Sequence, residues 1–204
     1  MVAMISSAKL WIKLMSIMNK PAQPASLTPQ NTKSNKVLAN RPDEISLKDS
    51  ANRKSFIDRL SKDYPNFTLR PGPQEHWSPK TNTITYNPHE PLNLMRHGLL
   101  HELSHALLGH SDYQSDFELL KLEASAWELA AKIGKKYNVS ISQNHIQNCL
   151  DTYRDWLHKR SACPKCGMRV PQKDPSHYHC FNCQNSWRVS ASRFVRPYRL
   201  STKT

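Results

Sequence analysis

Hydrophobic residues recur at helical spacing in three neighbouring segments in the middle of the chain. The first segment lies between Pro91 and Gly109, the second starts near Ser115, and the third runs from Ser142 to Lys159. Because this spacing puts apolar side chains on one helix face, each segment predicts a helix. Pro91 suits a first helical turn and Gly109 suits a C-terminal cap, so the pattern also predicts both ends of the first helix.

Shorter patterns predict one more helix and several strands around these three helices. Residues 50–64 have helical spacing, with Phe56, Ile57 and Leu60 facing inward. Strands are expected at residues 66–70, 83–86, 168–170, 178–180 and 187–189. This order of elements predicts an α+β fold, with a mostly helical core and a small β-hairpin or sheet at residues 50–158, followed by a small β unit at residues 159–190.

Both ends of the chain have the composition of segments without a packed core. Residues 19–42 are rich in Pro, Ser, Asn, Gln and Thr, so residues 1–49 are predicted to be a disordered basic tail and linker. Residues 191–204 are predicted to be a second basic tail. The apolar run at residues 10–18 contains a lysine and is too short to cross a bilayer, and no cleavage site follows it. We therefore expect a cytoplasmic protein without a transmembrane segment.

The first of the three helices carries the pentad His101-Glu102-Leu103-Ser104-His105, an HExxH motif. Residues four apart lie on the same helix face, so His101 and His105 can direct two imidazoles at one zinc ion. Glu102 lies beside them, where a carboxylate can accept a proton from zinc-bound water. The motif therefore predicts zinc-dependent hydrolysis, with Glu102 as the catalytic base.

A catalytic zinc site needs three protein ligands and an open position, so a third ligand must come from elsewhere. Ser115 and Glu118 form a capping box, which gives Glu118 a structural role, and Glu128 shares its face with lysines. Glu123 instead shares its face with apolar residues, where a carboxylate is costly unless it is paired or binds a metal. We therefore predict Glu123 as the third ligand, with His110 as its competitor.

The run from His101 to Ala130 resembles the ImmA/IrrE-type metallopeptidases, a gluzincin-like group. Their pattern is HExxH followed by a glutamate-alanine pair a few residues before an aromatic residue, as in Glu123, Ala124 and Trp127. The similarity covers roughly residues 50–140. It implies a zincin-like metallopeptidase domain at residues 50–158, zinc bound by the histidine pair and Glu123, and proteolysis of a regulatory protein such as a repressor. The family's helix-turn-helix partner domain is not evident in this sequence.

Two CxxC pairs, Cys163/Cys166 and Cys180/Cys183, predict a second metal site. Four thiolates at this spacing suit a structural zinc ribbon at residues 159–190, and they leave no open coordination position for catalysis. The expected cofactor content is therefore two zinc ions per chain, one catalytic and one structural. The remaining cysteine, Cys149, is expected to be a small buried hydrophobe.

The substrate is predicted to be a protein or peptide that contacts a strand and a histidine near the pentad. Ile84 and Tyr86 lie on a predicted strand of the kind that borders the cleft of zinc peptidases and pairs with an extended substrate. His97 lies one turn before His101 on the same helix face. It is one of four candidates for the side chain that donates a hydrogen bond to the carbonyl oxygen of the scissile peptide bond. The candidates are His97, Tyr86, Tyr113 and His110.

The formal net charge of +13 arises from the two ends of the chain, and it adds a possible second partner. The C-terminal region interleaves arginines with aromatic residues, a pattern that suits contact with phosphates and stacking on bases. The residues that form this pattern are Trp187, Arg188, Arg193, Phe194, Arg196, Tyr198 and Arg199. The sequence therefore predicts nucleic-acid contact through the basic C-terminal region.

Two other functions fit parts of the same sequence. A SprT-like protease acting on DNA-associated proteins has the same order of HExxH motif and ribbon, but usually takes a later histidine as third ligand. No histidine lies between His110 and His145. A zinc-ribbon nucleic-acid-binding protein without enzyme activity would have no reason to keep His101, Glu102 and His105 together. The sequence thus favours a zinc endopeptidase.

Overall fold

The computed structural model describes residues 42–190 and 200–202, and within them the chain has an α+β fold. The helices are α1 (Pro42–Asp63), α2 (Leu92–Leu107), α3 (Asp116–Lys136) and α4 (Gln143–Ser161). Strands β1 (Thr68–Pro71), β2 (His76–Ser78) and β3 (Thr83–Tyr86) lie between α1 and α2. Strands β4 (Gln172–Asp174), β5 (His177–His179), β6 (Ser186–Arg188) and β7 (Leu200–Thr202) follow α4. The predicted α+β class is confirmed at this level.

The boundaries of the helices follow local capping signals in the sequence. Pro91 precedes α2, and Gly109 follows it with a positive φ of 67°, which glycine adopts without strain. Ser115 caps α3 by accepting a hydrogen bond from the Glu118 N–H at 3.1 Å. The Glu118 carboxylate in turn accepts from the N–H of Gln114, so Glu118 has the structural role that the capping box predicts.

The predicted termini differ from the structure at two places. Helix α1 begins at Pro42, eight residues before the predicted start at Ser50. Residues 200–202, which were assigned to a basic tail, form β7 and pair with β6. The rest of the two predicted tails, residues 1–41, 191–199 and 203–204, lies outside the described residues.

The first sheet has the order β1-β3-β2, so β3 is its central strand. Strand β3 pairs in parallel with β1 and antiparallel with β2, and Ile84 is fully buried. Ile84 has strand partners on both sides, Leu69 in β1 and Trp77 in β2, so its main chain is not available to a substrate strand. Tyr86 is paired only with Pro71 of β1, and its contact with substrate stays a prediction. Strand β2, which the sequence patterns missed, forms an edge of this sheet.

Helix α2 lies at the centre of the main core. Its buried face includes Leu99, Leu100 and Leu103, which belong to one apolar cluster with Phe56 and Leu60 of α1. The same cluster takes in side chains from the first sheet and from the two later helices: Ile84, Trp127, Ala130, Ile146 and Leu150. Full burial of each large apolar side chain contributes about 1.5–3 kcal/mol, which fixes α2 between the sheet and α3.

The C-terminal sheet, with order β4-β5-β6-β7, is attached to the start of α3 and the end of α4. Gln172 accepts a hydrogen bond from the Asp116 N–H at 2.7 Å, and the Tyr178 hydroxyl donates to the Asp116 carboxylate. Arg160, 2% exposed, lies 3.4 Å from Asp116, and its carbonyl oxygen accepts from the Trp187 indole. The small sheet is therefore anchored to the helices by buried polar contacts.

Replacing Asp116 by alanine should destabilise the protein, because it leaves the Arg160 guanidinium buried without its carboxylate. We expect the free energy of unfolding in urea to fall by about 3 kcal/mol. The matched control is Asp151→Ala, because the Asp151–Arg154 pair is solvent-exposed and should contribute less than about 1 kcal/mol. Equal losses in the two variants would contradict a structural role for the buried pair.

Candidate metal centre

Helices α2 and α3 bring three metal-binding side chains together. The Nε2 atoms of His101 and His105 lie 3.1 Å apart. The two carboxylate oxygens of Glu123 lie 3.2 Å from His101 Nε2 and 3.8 Å from His105 Nε2. All three side chains are buried, and one ligand atom from each lies within 4.8 Å of the others. This group can hold a metal ion, and its members are the three predicted ligands.

The electrostatics of the group follow from burial and from the charge of Glu123. Burial lowers the pKa of His101 to about 4, although Glu123 opposes the shift. Burial also lowers the pKa of His105, but its contacts with Glu123 and Glu102 outweigh burial and leave that pKa above its usual value. Burial would raise the pKa of Glu123, yet the two imidazoles hold it well below the usual range. A buried, ionised carboxylate thus faces two imidazoles.

Glu102 lies on α2 next to this group and is tied to the edge strand. Its Oε2 atom accepts a hydrogen bond of 2.7 Å from the main-chain N–H of Trp77 in β2. Burial raises the pKa of its carboxyl group to about 7. The hydrogen bond fixes one oxygen of the carboxylate and leaves Oε1 outside that bond.

Trp127 holds the plane of the His101 ring. The two rings are stacked, with centroids 4.1 Å apart and planes at 24°. Trp127 lies four residues after Glu123 on α3, so both residues face α2. The aromatic residue of the predicted glutamate–alanine–aromatic pattern therefore packs directly on a predicted ligand.

His110 is not among the three converging groups. Its Nδ1 atom lies 2.9 Å from Nδ1 of His105, which is the ring nitrogen that points away from Glu123. Its main-chain carbonyl accepts a hydrogen bond of 3.0 Å from the Trp77 indole. Between the two candidates for a third ligand, the structure brings Glu123 to the histidine pair and puts His110 behind it.

His97 lies further back along the same helix face. Its Nε2 atom is 3.2 Å from the Ser140 carbonyl oxygen, and its ring contacts His145 edge to face at 4.7 Å. His145 contacts Trp127, which stacks on His101. His97 is thus connected to the metal group through a row of rings, and its contact with substrate stays a prediction.

Trp77 and His76 are the residues near the site that the sequence patterns missed. Strand β2 has three residues and lies in a segment rich in proline, so no alternation marks it. Trp77 contacts both Glu102 and His110. Burial lowers the pKa of His76, and the charge of His105 lowers it further.

The four predicted cysteines form a second group that can hold a metal ion. Their Sγ atoms approach to 3.6 Å between Cys163 and Cys183 and to 3.5 Å between Cys166 and Cys180. The N–H of Met168 and the Asn182 side chain lower the pKa of Cys166 to about 6, which favours the thiolate that binds metals. The two CxxC pairs therefore converge as predicted.

The two CxxC turns of the cysteine group have similar backbone conformations. Gln184 has a φ of 59°, close to the 76° of Gly167 at the equivalent position.

The two histidines near the cysteines contact other partners. Nδ1 of His179 lies 2.9 Å from the Ser186 hydroxyl, and Nδ1 of His177 lies 2.9 Å from an Asp174 carboxylate oxygen. Cys149 is partly buried against the main core, and burial raises the pKa of its thiol to about 12.

Comparisons with protein-family models, with curated proteins and with solved structures gave no match to this chain. Among the described residues, no helix has the length and apolar character needed to cross a membrane. Any functional conclusion therefore depends on the two side-chain groups themselves.

Replacing Glu123 should remove one of the two metal-binding groups and leave the other intact. Metal-saturated, dialysed wild-type protein should contain two divalent ions per chain, one for each group. Glu123→Gln should contain one, because a neutral amide is a poor replacement for the buried carboxylate as a metal ligand. Elemental analysis by mass spectrometry measures both values.

His110→Ala is the matched control and should still contain two ions at saturating metal. Circular dichroism checks that each variant is folded. Two ions in Glu123→Gln together with one in His110→Ala would show that His110, and not Glu123, completes the site.

Proposed function

We propose that this chain is a zinc-dependent endopeptidase of the ImmA/IrrE type. His101, His105 and Glu123 would hold the catalytic zinc, Glu102 would be the general base, and the four cysteines would hold a structural zinc. The observation that carries the proposal is the buried convergence of two imidazoles and a carboxylate beside a second, backbone-tethered carboxylate.

The donor atoms of the first group fit a zinc ion. Oε2 of Glu123 lies 3.2 Å from His101 Nε2, and the ligand atoms of all three residues are close enough to bind one ion. Two imidazoles and one carboxylate are a common ligand set for catalytic zinc, and three protein ligands leave a fourth position for water or substrate. When bound, the metal supplies a Lewis acid that polarises a carbonyl group and makes water more acidic.

Glu102 would transfer the protons of the reaction. The Trp77 N–H holds Oε2, so Oε1 is the oxygen that can accept a proton from the attacking water. The same carboxyl group would then deliver the proton to the nitrogen of the leaving amine. Because Glu102 is buried, bulk water competes little with these transfers.

The outward N–H of Trp77 in the edge strand β2 already donates to Glu102, so it is not available to pair with an extended substrate. Substrate contact with Tyr86 and His97 remains part of the proposal.

The identity of the substrate follows only from the family resemblance, which implies a regulatory protein. The alternative of nucleic-acid binding depends mostly on residues 191–199, which lie outside the described part of the chain. Within that part, Trp187, which the sequence pattern assigned to base stacking, is fully buried, whereas Phe181 beside the cysteine group is 62% exposed.

The Glu102→Gln variant tests the proposed chemistry. It should lower the cleavage rate of an unfolded protein substrate by about 10²–10⁴-fold, because the amide cannot accept the proton. Its zinc content should equal that of the wild type, since Glu102 is not a proposed ligand. Cleavage is followed by the release of fluorescent peptides from a heavily labelled substrate.

The matched control is Glu128→Gln, which changes an exposed glutamate that pairs with Lys132 on α3. This variant should cleave at the wild-type rate. Equal rates in Glu102→Gln and wild type, or no cleavage by zinc-loaded wild type across a panel of unfolded and native regulatory proteins, would contradict the proposal.

A further inference from the structure

Two residues, neither of them a proposed ligand or base, connect the parts of the proposed mechanism. Trp77 touches Glu102, and His110 touches His105, and the two residues also contact each other. We propose that Trp77 and His110 are positioning residues that fix the tautomer of His105 and its orientation relative to Glu102. This inference rests on the proposed function, because it assigns His105 Nε2 to the metal.

One proton lies between the facing ring nitrogens of His105 and His110. Their Nδ1 atoms lie 2.9 Å apart, so one nitrogen must donate a hydrogen bond and the other must accept it. His105 Nε2 faces Glu123 and His101 and needs its lone pair to bind a metal. The proton of a neutral His105 must then be on Nδ1, which donates to His110.

His110 must accordingly be the opposite tautomer, with its proton on Nε2. Histidines that bind metals usually donate their second N–H to a carboxylate, a main-chain carbonyl or water, and this bond sets the ring orientation. In this chain a second imidazole has that role. A neutral acceptor adds no negative charge to a buried region that already contains the Glu123 carboxyl group.

Main-chain hydrogen bonds hold His110 in place. Helix α2 ends at Leu107, and the positive φ of Gly109 turns the chain so that the His110 N–H donates to the His105 carbonyl at 2.9 Å. The His110 carbonyl accepts from the Trp77 indole at 3.0 Å. Both main-chain polar groups of His110 are therefore bonded, and its ring is directed back at His105.

Trp77 contacts both Glu102 and the loop that carries His110. Its main-chain N–H bonds Glu102, while its indole N–H bonds His110. Trp77 is 8% exposed, and its indole packs edge to face on Phe67 with the ring centroids 5.5 Å apart. A movement of β2 would therefore displace the base and the ligand together.

The test measures zinc affinity and a ring proton, not only activity. Zinc affinity at the site of His101, His105 and Glu123 is measured by competition with a chelator. Occupancy of the cysteine site is measured separately from the reactivity of its thiols. In zinc-loaded wild type, nitrogen–proton NMR of the histidine rings should show a slowly exchanging Nδ1–H of His105. His110→Ala should lose this signal and bind zinc about 10–100-fold more weakly.

His110→Asn is the conservative variant, because its side-chain oxygen can occupy the position of Nδ1 and accept the same bond. It should recover most of the affinity and the ring-proton signal. Trp77→Phe keeps the main-chain bond to Glu102 but removes the indole donor, so it should weaken zinc binding less than His110→Ala does. His89→Ala, which alters an exposed histidine, should leave both measurements unchanged.

Wild-type affinity and an unchanged ring-proton signal in His110→Ala would overturn the inference while leaving the peptidase proposal in place. A wild-type protein that binds zinc at this site but cleaves nothing would overturn the peptidase proposal and leave the positioning role intact. Loss of affinity in His110→Asn equal to that in His110→Ala would also count against the hydrogen bond, because the acceptor would then make no difference.

Discussion

An ionised carboxylate enclosed by two imidazoles is the interaction on which the rest of this structure depends. Glu123 is 3% exposed, and its oxygens lie 3.2 Å and 3.8 Å from the histidine nitrogens. Burying a charge costs several kcal/mol per ion unless its partners are fixed in place. The arrangement is therefore stable only if α2 and α3 hold their side chains in one geometry.

Several contacts outside the group provide that rigidity. Trp127 stacks on His101, and Trp77 connects Glu102 with the loop that carries His110. The start of α3 is held from the other side, because the C-terminal sheet bonds both the main chain and the side chain of Asp116. The cysteine-rich unit is thus part of the scaffold of α3, and the metal that it can hold would stabilise the helix that carries Glu123.

The sequence predicted those features that depend on local spacing. The histidine pair follows from helical periodicity, and Glu123 follows from the cost of a lone carboxylate on an apolar face. The position of Ile84 in the middle of the sheet could not be predicted, because strand order is set by long-range pairing. The contact of His110 with His105 was also hidden, since it depends on a turn after the helix and on Trp77 in a three-residue strand.

Anomalous diffraction at the zinc absorption edge, from crystals of the zinc-loaded protein, tests the central claim most directly. The account predicts a peak about 2.0–2.1 Å from Nε2 of both His101 and His105 and at a similar distance from a Glu123 oxygen. A second peak at the four cysteines serves as an internal control for metal loading. An occupied cysteine site with no peak between the two imidazoles would contradict the account.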